Sequence, residues 1–195
     1  MSLDVRPLTG DDLDRLLPDV ARLRMEVFRE WPYLYDGCFD YEHRYLQSYR
    51  DSAGAVLIGA FDGADMVGAS TGTPMEDHAE DFAAAFAGRD EALSEIFYCA
   101  ESVLKPAYRG RGIGHAFFDL REAHAAELGR RYSAFCAVVR PPDHPRRDAS
   151  YRSHDPFWRG RGYAPLPGVV AHFGWKDLDQ PRETEKPLQF WMKAL

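Results

Sequence analysis

Hydrophobic positions change period several times along this chain, and each change marks an element. From residue 11 to about 29, Leu13, Leu16, Leu17, Val20, Leu23 and Val27 recur every three or four residues. That spacing lays one face of a helix against a core. Thr9 or Asp11 is the expected cap, and Trp31-Pro32 stops the helix. A short first strand is expected over 3–8 and a second helix over 41–50. Residues 55–61 and 66–73 read as two strands joined by the tight turn Asp62-Gly63-Ala64-Asp65, which is a hairpin signal. Residues 76–93 are acidic and alanine-rich, with Phe82 and Phe86 four apart, and are expected to form an inserted helix with its flank.

A strand is expected within 94–104 and a helix over 112–128. Ile113, Phe117, Leu120 and Leu128 lie near one face of that helix, and Gly129 is its stop signal. Residues 132–139 are almost unbroken apolar sequence, as a strand buried on both faces requires. A Pro- and Arg-rich loop follows over 140–153, then a short helix over 155–161 ending at Gly162. Strands over 169–175 and 188–193 close the chain. One strand–helix–strand passage requires a parallel pair, and the hairpins require antiparallel ones. The expected class is α/β (α+β), a mixed sheet with helices on it, in a single domain spanning all 195 residues.

Composition narrows the partners. Hydrophobic residues at 45% and charged residues at 28% suit a soluble globular chain. The formal net charge of -7 opposes binding to nucleic acid and weakly favours a cationic or amine partner. Cys38, Cys99 and Cys136 are odd in number and far apart, so neither a disulfide framework nor a zinc site is expected. The start of the chain carries no apolar signal region, and the longest apolar run, 134–139, is too short to cross a bilayer. A cytoplasmic setting without membrane attachment is the expectation. His144, His154, Asp143 and Asp155 lack the fixed spacing of a metal site, and no metal is expected.

The sharpest chemical signal is Arg109-Gly110-Arg111-Gly112-Ile113-Gly114, placed between a strand and a helix. The first turn of a helix carries backbone N–H groups without intrahelical acceptors, and the helix dipole adds positive charge there. Glycines let the backbone close on phosphate oxygens, and Arg109 and Arg111 add full charges. The P-loop is excluded because no Lys-Ser/Thr follows the glycines. The dinucleotide pattern is excluded because its third glycine would fall on His115. The competing reading is a plain glycine turn with solvated arginines.

Arg109, Gly112 and Gly114 satisfy [Q/R]-x-x-G-x-[G/A], and in this the chain resembles the GNAT N-acetyltransferase superfamily. The downstream Phe157-Trp158-Arg159-Gly160-Arg161-Gly162-Tyr163 and the closing Gln189-Phe190-Trp191-Met192-Lys193 resemble that family's short fourth helix and last strand. The resemblance runs from about Leu3 to the end, with 76–93 as extra material. It implies a mostly antiparallel twisted sheet with flanking helices and a splayed parallel strand pair. It implies acetyl-CoA as co-substrate, with its diphosphate on Arg109, Gly110, Arg111, Gly112, Ile113, Gly114 and His115. The pantetheine arm would pair with backbone at Val103 and Leu104.

The resemblance further implies direct attack of an amine on the thioester. In that family the strand before the loop bulges, and Glu101, on the strand entering that bulge, is the candidate base, with Glu95 as second option; the competing reading of Glu101 is a carboxylate paired with a neighbouring arginine or simply solvated. The family's usual acid, a tyrosine on the short helix, is replaced here by Trp158, whose expected duty is core packing. Tyr151, or a water, would substitute as acid. Cys136 is expected to be a buried inert thiol rather than an acyl carrier. Trp31, Tyr33, Tyr35 and Asp36, between the first two helices, would hold a cationic acceptor by cation–π contact and charge pairing, or else simply pack as a helix stop. The acceptor would be a small-molecule or peptide amine. A non-catalytic acyl-CoA-binding module and a longer-chain acyltransferase are the rival readings.

Overall fold

The computed structural model describes residues 3–195. Strand β1 (Leu3–Pro7) leads into α1 (Asp11–Val27) and α2 (Phe39–Asp51), and the hairpin β2 (Val56–Asp62) and β3 (Asp65–Pro74) follows. A single turn of α3 (Ala79–Phe82) precedes β4 (Ile96–Leu104). The order then runs α4 (Ile113–Glu127), β5 (Tyr132–Val138), α5 (Asp155–Gly160), β6 (Ala164–Lys176) and β7 (Glu183–Ala194). The seven strands form one sheet in the order β1-β2-β3-β4-β5-β7-β6. Only β4 and β5 are parallel among its neighbours. This is the mixed α/β sheet expected.

Two faces organise the core. On one, Leu16, Leu17, Val20 and Leu23 of α1 and Leu46 and Tyr49 of α2 pack with Leu57, Ala69 and Val103. On the other, Ile113, Phe117, Phe118 and Ala125 of α4 pack on Ile58, Val67, Phe97, Cys99 and Phe135. Apolar stripes on helices thus meet the two faces of one twisted sheet.

Three details depart from the sequence expectation. Gly10, not Thr9 or Asp11, holds the N-cap position of α1, at φ 55. The helix expected within 76–93 is only the short α3, preceded by a 3₁₀ turn at Met75–His78 and followed by turns. Their anchors are Phe82 and Phe86, buried against Tyr98 and Phe190. The last two strands are longer than expected, because β6 and β7 extend as a hairpin well beyond their apolar centres.

Candidate active site

The parallel pairing of β4 and β5 is brief. It joins Ile96, Phe97 and Tyr98 to Tyr132, Ser133 and Ala134 and then ends. Beyond it, β4 stays with β3 to Leu104 while β5 stays with β7 to Val138. The strands therefore part in a wedge. Just past β4, Lys105 N–H is bonded to Val67 O, on the β3 side. Backbone groups alternate along a strand, so Val103 also faces β3. Leu104 faces the wedge, and its carbonyl accepts from Arg109 Nε at 3.2 Å. Of the two residues expected to offer backbone to a pantetheine arm, only Leu104 turns its backbone into the wedge.

At the wedge mouth stands the start of α4. Gly110 and Gly112 have φ of 75° and 83°, conformations that L side chains rarely adopt. A Cβ on either glycine would meet nothing within 4 Å, so open space lies beside both. No side chain caps the helix, and its first internal bond runs from Ala116 N–H to Gly112 O. The amides of Gly112, Ile113, Gly114 and His115 therefore have no intrahelical acceptor. Arg111 lies over the Tyr108 ring, and Arg109 pairs with Glu30 at 2.8 Å. The His115 ring turns away toward α5, where Nδ1 meets Arg161 and the ring packs on Phe157. Only the backbone of His115 belongs to the cradle. These groups suit a diphosphate: unpaired amides, room for oxygens and two exposed guanidinium groups.

Glu101 lies on β4 three residues before Leu104, and a bulge decides where it points. Thr71 pairs with Glu101 and Thr73 with Tyr98, so Cys99 and Ala100 together oppose Gly72. Tyr98 and Ala100 pack on the face of α1, α2 and α3, and Cys99 packs on the α4 face. The extra residue reverses the alternation and sends Glu101 to the α1–α2 face as well. There its carboxylate contacts the Arg24 guanidinium, which also contacts Glu42. Tyr45 Oη donates to Glu101 at 3.3 Å and stands 2.8 Å from Tyr49 Oη. Tyr35 Oη donates to Glu42 at 2.6 Å. Two carboxylates thus share one guanidinium in a tyrosine-lined interior, so the arginine pairing that competes with a catalytic role for Glu101 is present.

Solved structures with this architecture are numerous. A GCN5-related N-acetyltransferase from Kribbella flavida matches with a TM-score of 0.63 at 17% identity, over 99% of this chain and 98% of that one. A ribosomal-protein-alanine N-acetyltransferase from Brucella melitensis matches at 0.63 and 13% identity, over 98% and 99%. The protein yncA from Salmonella typhimurium, solved with acetyl-CoA, matches at 0.61 and 10% identity, over 100% and 95%. No family model and no curated protein matches by sequence. The chain has the fold of the GNAT N-acetyltransferases.

Within this GNAT fold, the remaining expected site residues divide into two groups. Trp31 meets His144 at 5.1 Å and Tyr151 at 6.3 Å between ring centroids, so the 140–154 loop lies against the connection between α1 and α2. The Tyr33 phenol is pushed well above its usual range, first by burial and then by the charges of Cys136, Glu101 and Tyr151 when ionised. Burial, with Asp155, also raises the half-buried Tyr151 phenol. Tyr33 packs on Phe28, over which lies the Arg24 guanidinium that meets Glu101, so Tyr33 lies on the side to which Glu101 points, and Trp31 and Tyr151 adjoin each other at the same connection. Tyr35 and Asp36 do not join them as free ligands. The Tyr35 hydroxyl is committed to Glu42. Asp36 is held by Lys176 at 2.7 Å, which keeps its carboxyl below the usual range.

Glu95 lies at the opposite end of β4, bonded to Arg131 and to the Ala92 amide, and has no place near the wedge. Trp158 packs between Phe135 and Trp191, as expected of a core residue. Burial lifts the Cys136 thiol to about 12, with Tyr98 Oη 3.3 Å away as its partner. Among the described residues, no group of three or more His, Cys, Asp or Glu side chains is placed to hold a metal ion. No helix there is long and apolar enough to cross a membrane.

Sequence reasoning missed Arg24, Glu42, Tyr45 and Arg121, and within the Pro- and Arg-rich loop it missed the anchoring role of Arg140. That arginine bonds Asp177 at 2.8 and 3.0 Å and the carbonyls of Pro32 and Tyr33 at 2.8 and 2.6 Å. It clamps the aromatic connection to the end of β6. The signal was available: Arg24, Glu42 and Arg121 each sit on the apolar stripe of their helix.

Proposed function

We propose that the protein is an N-acetyltransferase that moves an acetyl group from acetyl-CoA to a primary amine by direct attack on the thioester. The observation that carries this reading is the joint placement of three features. A wedge between parallel strands has an uncapped, glycine-opened helix start at its mouth, and a carboxylate is turned by a bulge toward the adjoining interior. Acetyl-CoA, when bound, supplies the thioester to be attacked. Arg109, Arg111 and the amides from Gly112 to His115 hold the diphosphate. The Leu104 backbone pairs with the pantetheine arm and, through its N–H, stabilises the carbonyl oxygen as it gains charge.

Glu101 takes a proton from the acceptor ammonium, because only the free amine has a lone pair for attack. The new C–N bond forms on the carbonyl carbon as the C–S bond breaks and the thiolate leaves, and the second nitrogen proton is released through Tyr151 or water toward that thiolate. A thiolate is a stable enough leaving group to depart before it is protonated, so Tyr151 or water completes the step. Trp31 and Tyr33 suit a cationic acceptor, small molecule or peptide N-terminus, by cation–π contact, with the Glu101 carboxylate adding charge. Three free thiols, two of them buried, accord with a reducing cytoplasm.

The test is release of free thiol from acetyl-CoA across a panel of primary amines. Steady, amine-dependent release is expected. Tight acetyl-CoA binding without release from any amine would favour the non-catalytic binding module. Faster release from longer acyl thioesters would favour the longer-chain acyltransferase.

A further inference from the structure

Arg121 is 1% exposed and has no carboxylate partner among the described residues. It occupies the stripe Ile113, Phe117, Arg121, Ala125, where each residue lies four after the last and every other member is apolar. Burying a cation without an anion is unfavourable unless its donors are satisfied. Here they meet three backbone carbonyls and one hydroxyl. Nη1 donates to Thr71 O at 3.2 Å and to Glu101 O at 3.0 Å. Nη2 donates to Ser102 Oγ at 2.9 Å, and Nε donates to Phe117 O at 3.3 Å. The guanidinium lies over the Phe118 ring at 4.7 Å.

Those acceptors share one location. Thr71 and Glu101 are the first paired residues beyond the β3–β4 bulge, where two residues of β4 oppose Gly72 alone. The ladder is disrupted at a bulge, and Arg121 bridges both strands across that break. Its bond to Ser102 also holds Ser102 on the α4 face. With Ser102 fixed there, strand alternation places Glu101 and Val103 on the opposite face. A bulge slipped by one residue would carry Glu101 to the α4 face, away from Arg24 and Tyr45.

We propose that Arg121 is a positioning residue that locks the β4 bulge in the phase presenting Glu101 to the acceptor side. This role rests on Glu101 being the base of the proposed transfer, although the locking itself does not. Arg121 touches no reacting atom and acts through the backbone of Glu101 and the side chain of Ser102.

The experiment compares the wild-type protein with Arg121→Met, which keeps length without donors, and Arg121→Lys, which keeps charge and some donors. Amide hydrogen exchange over residues 98–104 is read by mass spectrometry, alongside kcat, KM and acetyl-CoA affinity. In Arg121→Met, exchange is expected to quicken in 98–104 and 70–73 while β7 is unchanged. Its kcat is expected to fall at least about tenfold, as for a misplaced base, with acetyl-CoA affinity within about threefold. Arg121→Lys is expected to restore part of both effects. Unchanged exchange in a folded Arg121→Met protein overturns the proposal. So does a loss of acetyl-CoA affinity that matches the loss in kcat, because that marks a general structural fault. If Arg121→Met does not fold, Ser102→Ala carries the same test, with quicker exchange over 99–102 expected and unchanged exchange overturning it. If the wild-type protein transfers acetyl to no amine, the proposed function fails while the exchange result still decides the lock.

Discussion

Substitution of Gly112 by alanine separates a strained turn from a binding cradle, because the same helix contains a matched control. Gly112 sits at the start of α4 with φ 83°, and Gly129 follows its end with φ 71°. A Cβ at either position meets nothing within 4 Å. Both substitutions therefore carry the same penalty, the strain of an L residue in left-handed conformation, about 1–2 kcal/mol. For a chain of this size that lowers Tm by roughly 2–8 °C. Gly129 has a purely structural duty: its N–H bonds Ala126 O at 2.9 Å, and the next amide bonds Ala125 O at 2.9 Å. Gly112 has the second duty assigned above, because its added methyl enters the open space beside the unpaired amides. Losing one or two hydrogen bonds to a charged oxygen costs about 1.5–3 kcal/mol each, or roughly ten- to more than a hundredfold in affinity. Calorimetric titration with CoA is the assay, with thermal unfolding of the unliganded proteins in parallel. Gly112→Ala is expected to lose that affinity, and Gly129→Ala is expected to match its Tm change with wild-type affinity. Equal affinities in the two variants would refute the cradle, whatever their stabilities.

Three further expectations follow from the geometry. Glu101→Gln should lower turnover at neutral pH about a hundredfold or more and leave acetyl-CoA affinity within about threefold; unchanged turnover removes Glu101 from the mechanism. Cys136→Ala should keep turnover within about threefold, because a thiol lifted to about 12 is protonated at working pH; a trapped acyl-protein adduct in the wild type that disappears in this variant would contradict this. Burial pushes the Asp177 carboxyl up, but Arg140 and Lys186 outweigh it and hold the carboxyl below its ordinary value. The stabilisation is therefore complete above the unfolded value near 4 and is lost as pH falls through the folded one. Asp177→Asn should thus destabilise by about 3–5 kcal/mol at pH 7, as expected when one partner of a buried pair is removed. The gap to wild type, read by denaturant unfolding, should narrow toward pH 3; a gap that does not change with pH would exclude the ion pair as its source.

Much of the fold was legible because period and punctuation agreed. The stripe from Leu13 to Val27, the Asp62–Asp65 turn and the glycine at 129 each specify a local conformation, and the structure follows them. The glycine turn that opens α4 was legible for the same reason, since it is written in consecutive residues. What escaped was non-local. Arg24, Glu42 and Arg121 stand where leucine would be expected, and nothing in the helical spacing reveals that each has a buried partner on a distant element. The bulge was equally hidden as a register: whether Glu101 faces α4 or α1 depends on a one-residue mismatch with β3. Asp36 shows the opposite error, because a carboxylate among aromatics looks like a cation site until Lys176 is found beside it.

The central claim is that the unpaired amides at the start of α4 receive the diphosphate of acetyl-CoA while Leu104 receives its pantetheine arm. Backbone ¹⁵N–¹H NMR of the labelled protein, titrated with CoA to saturation, tests this amide by amide. The largest shifts should fall on Gly112, Ile113, Gly114 and His115, with a separate shift at Leu104 and little change at Val103. Saturation that leaves those amides unmoved, or moves Val103 in place of Leu104, would contradict the account.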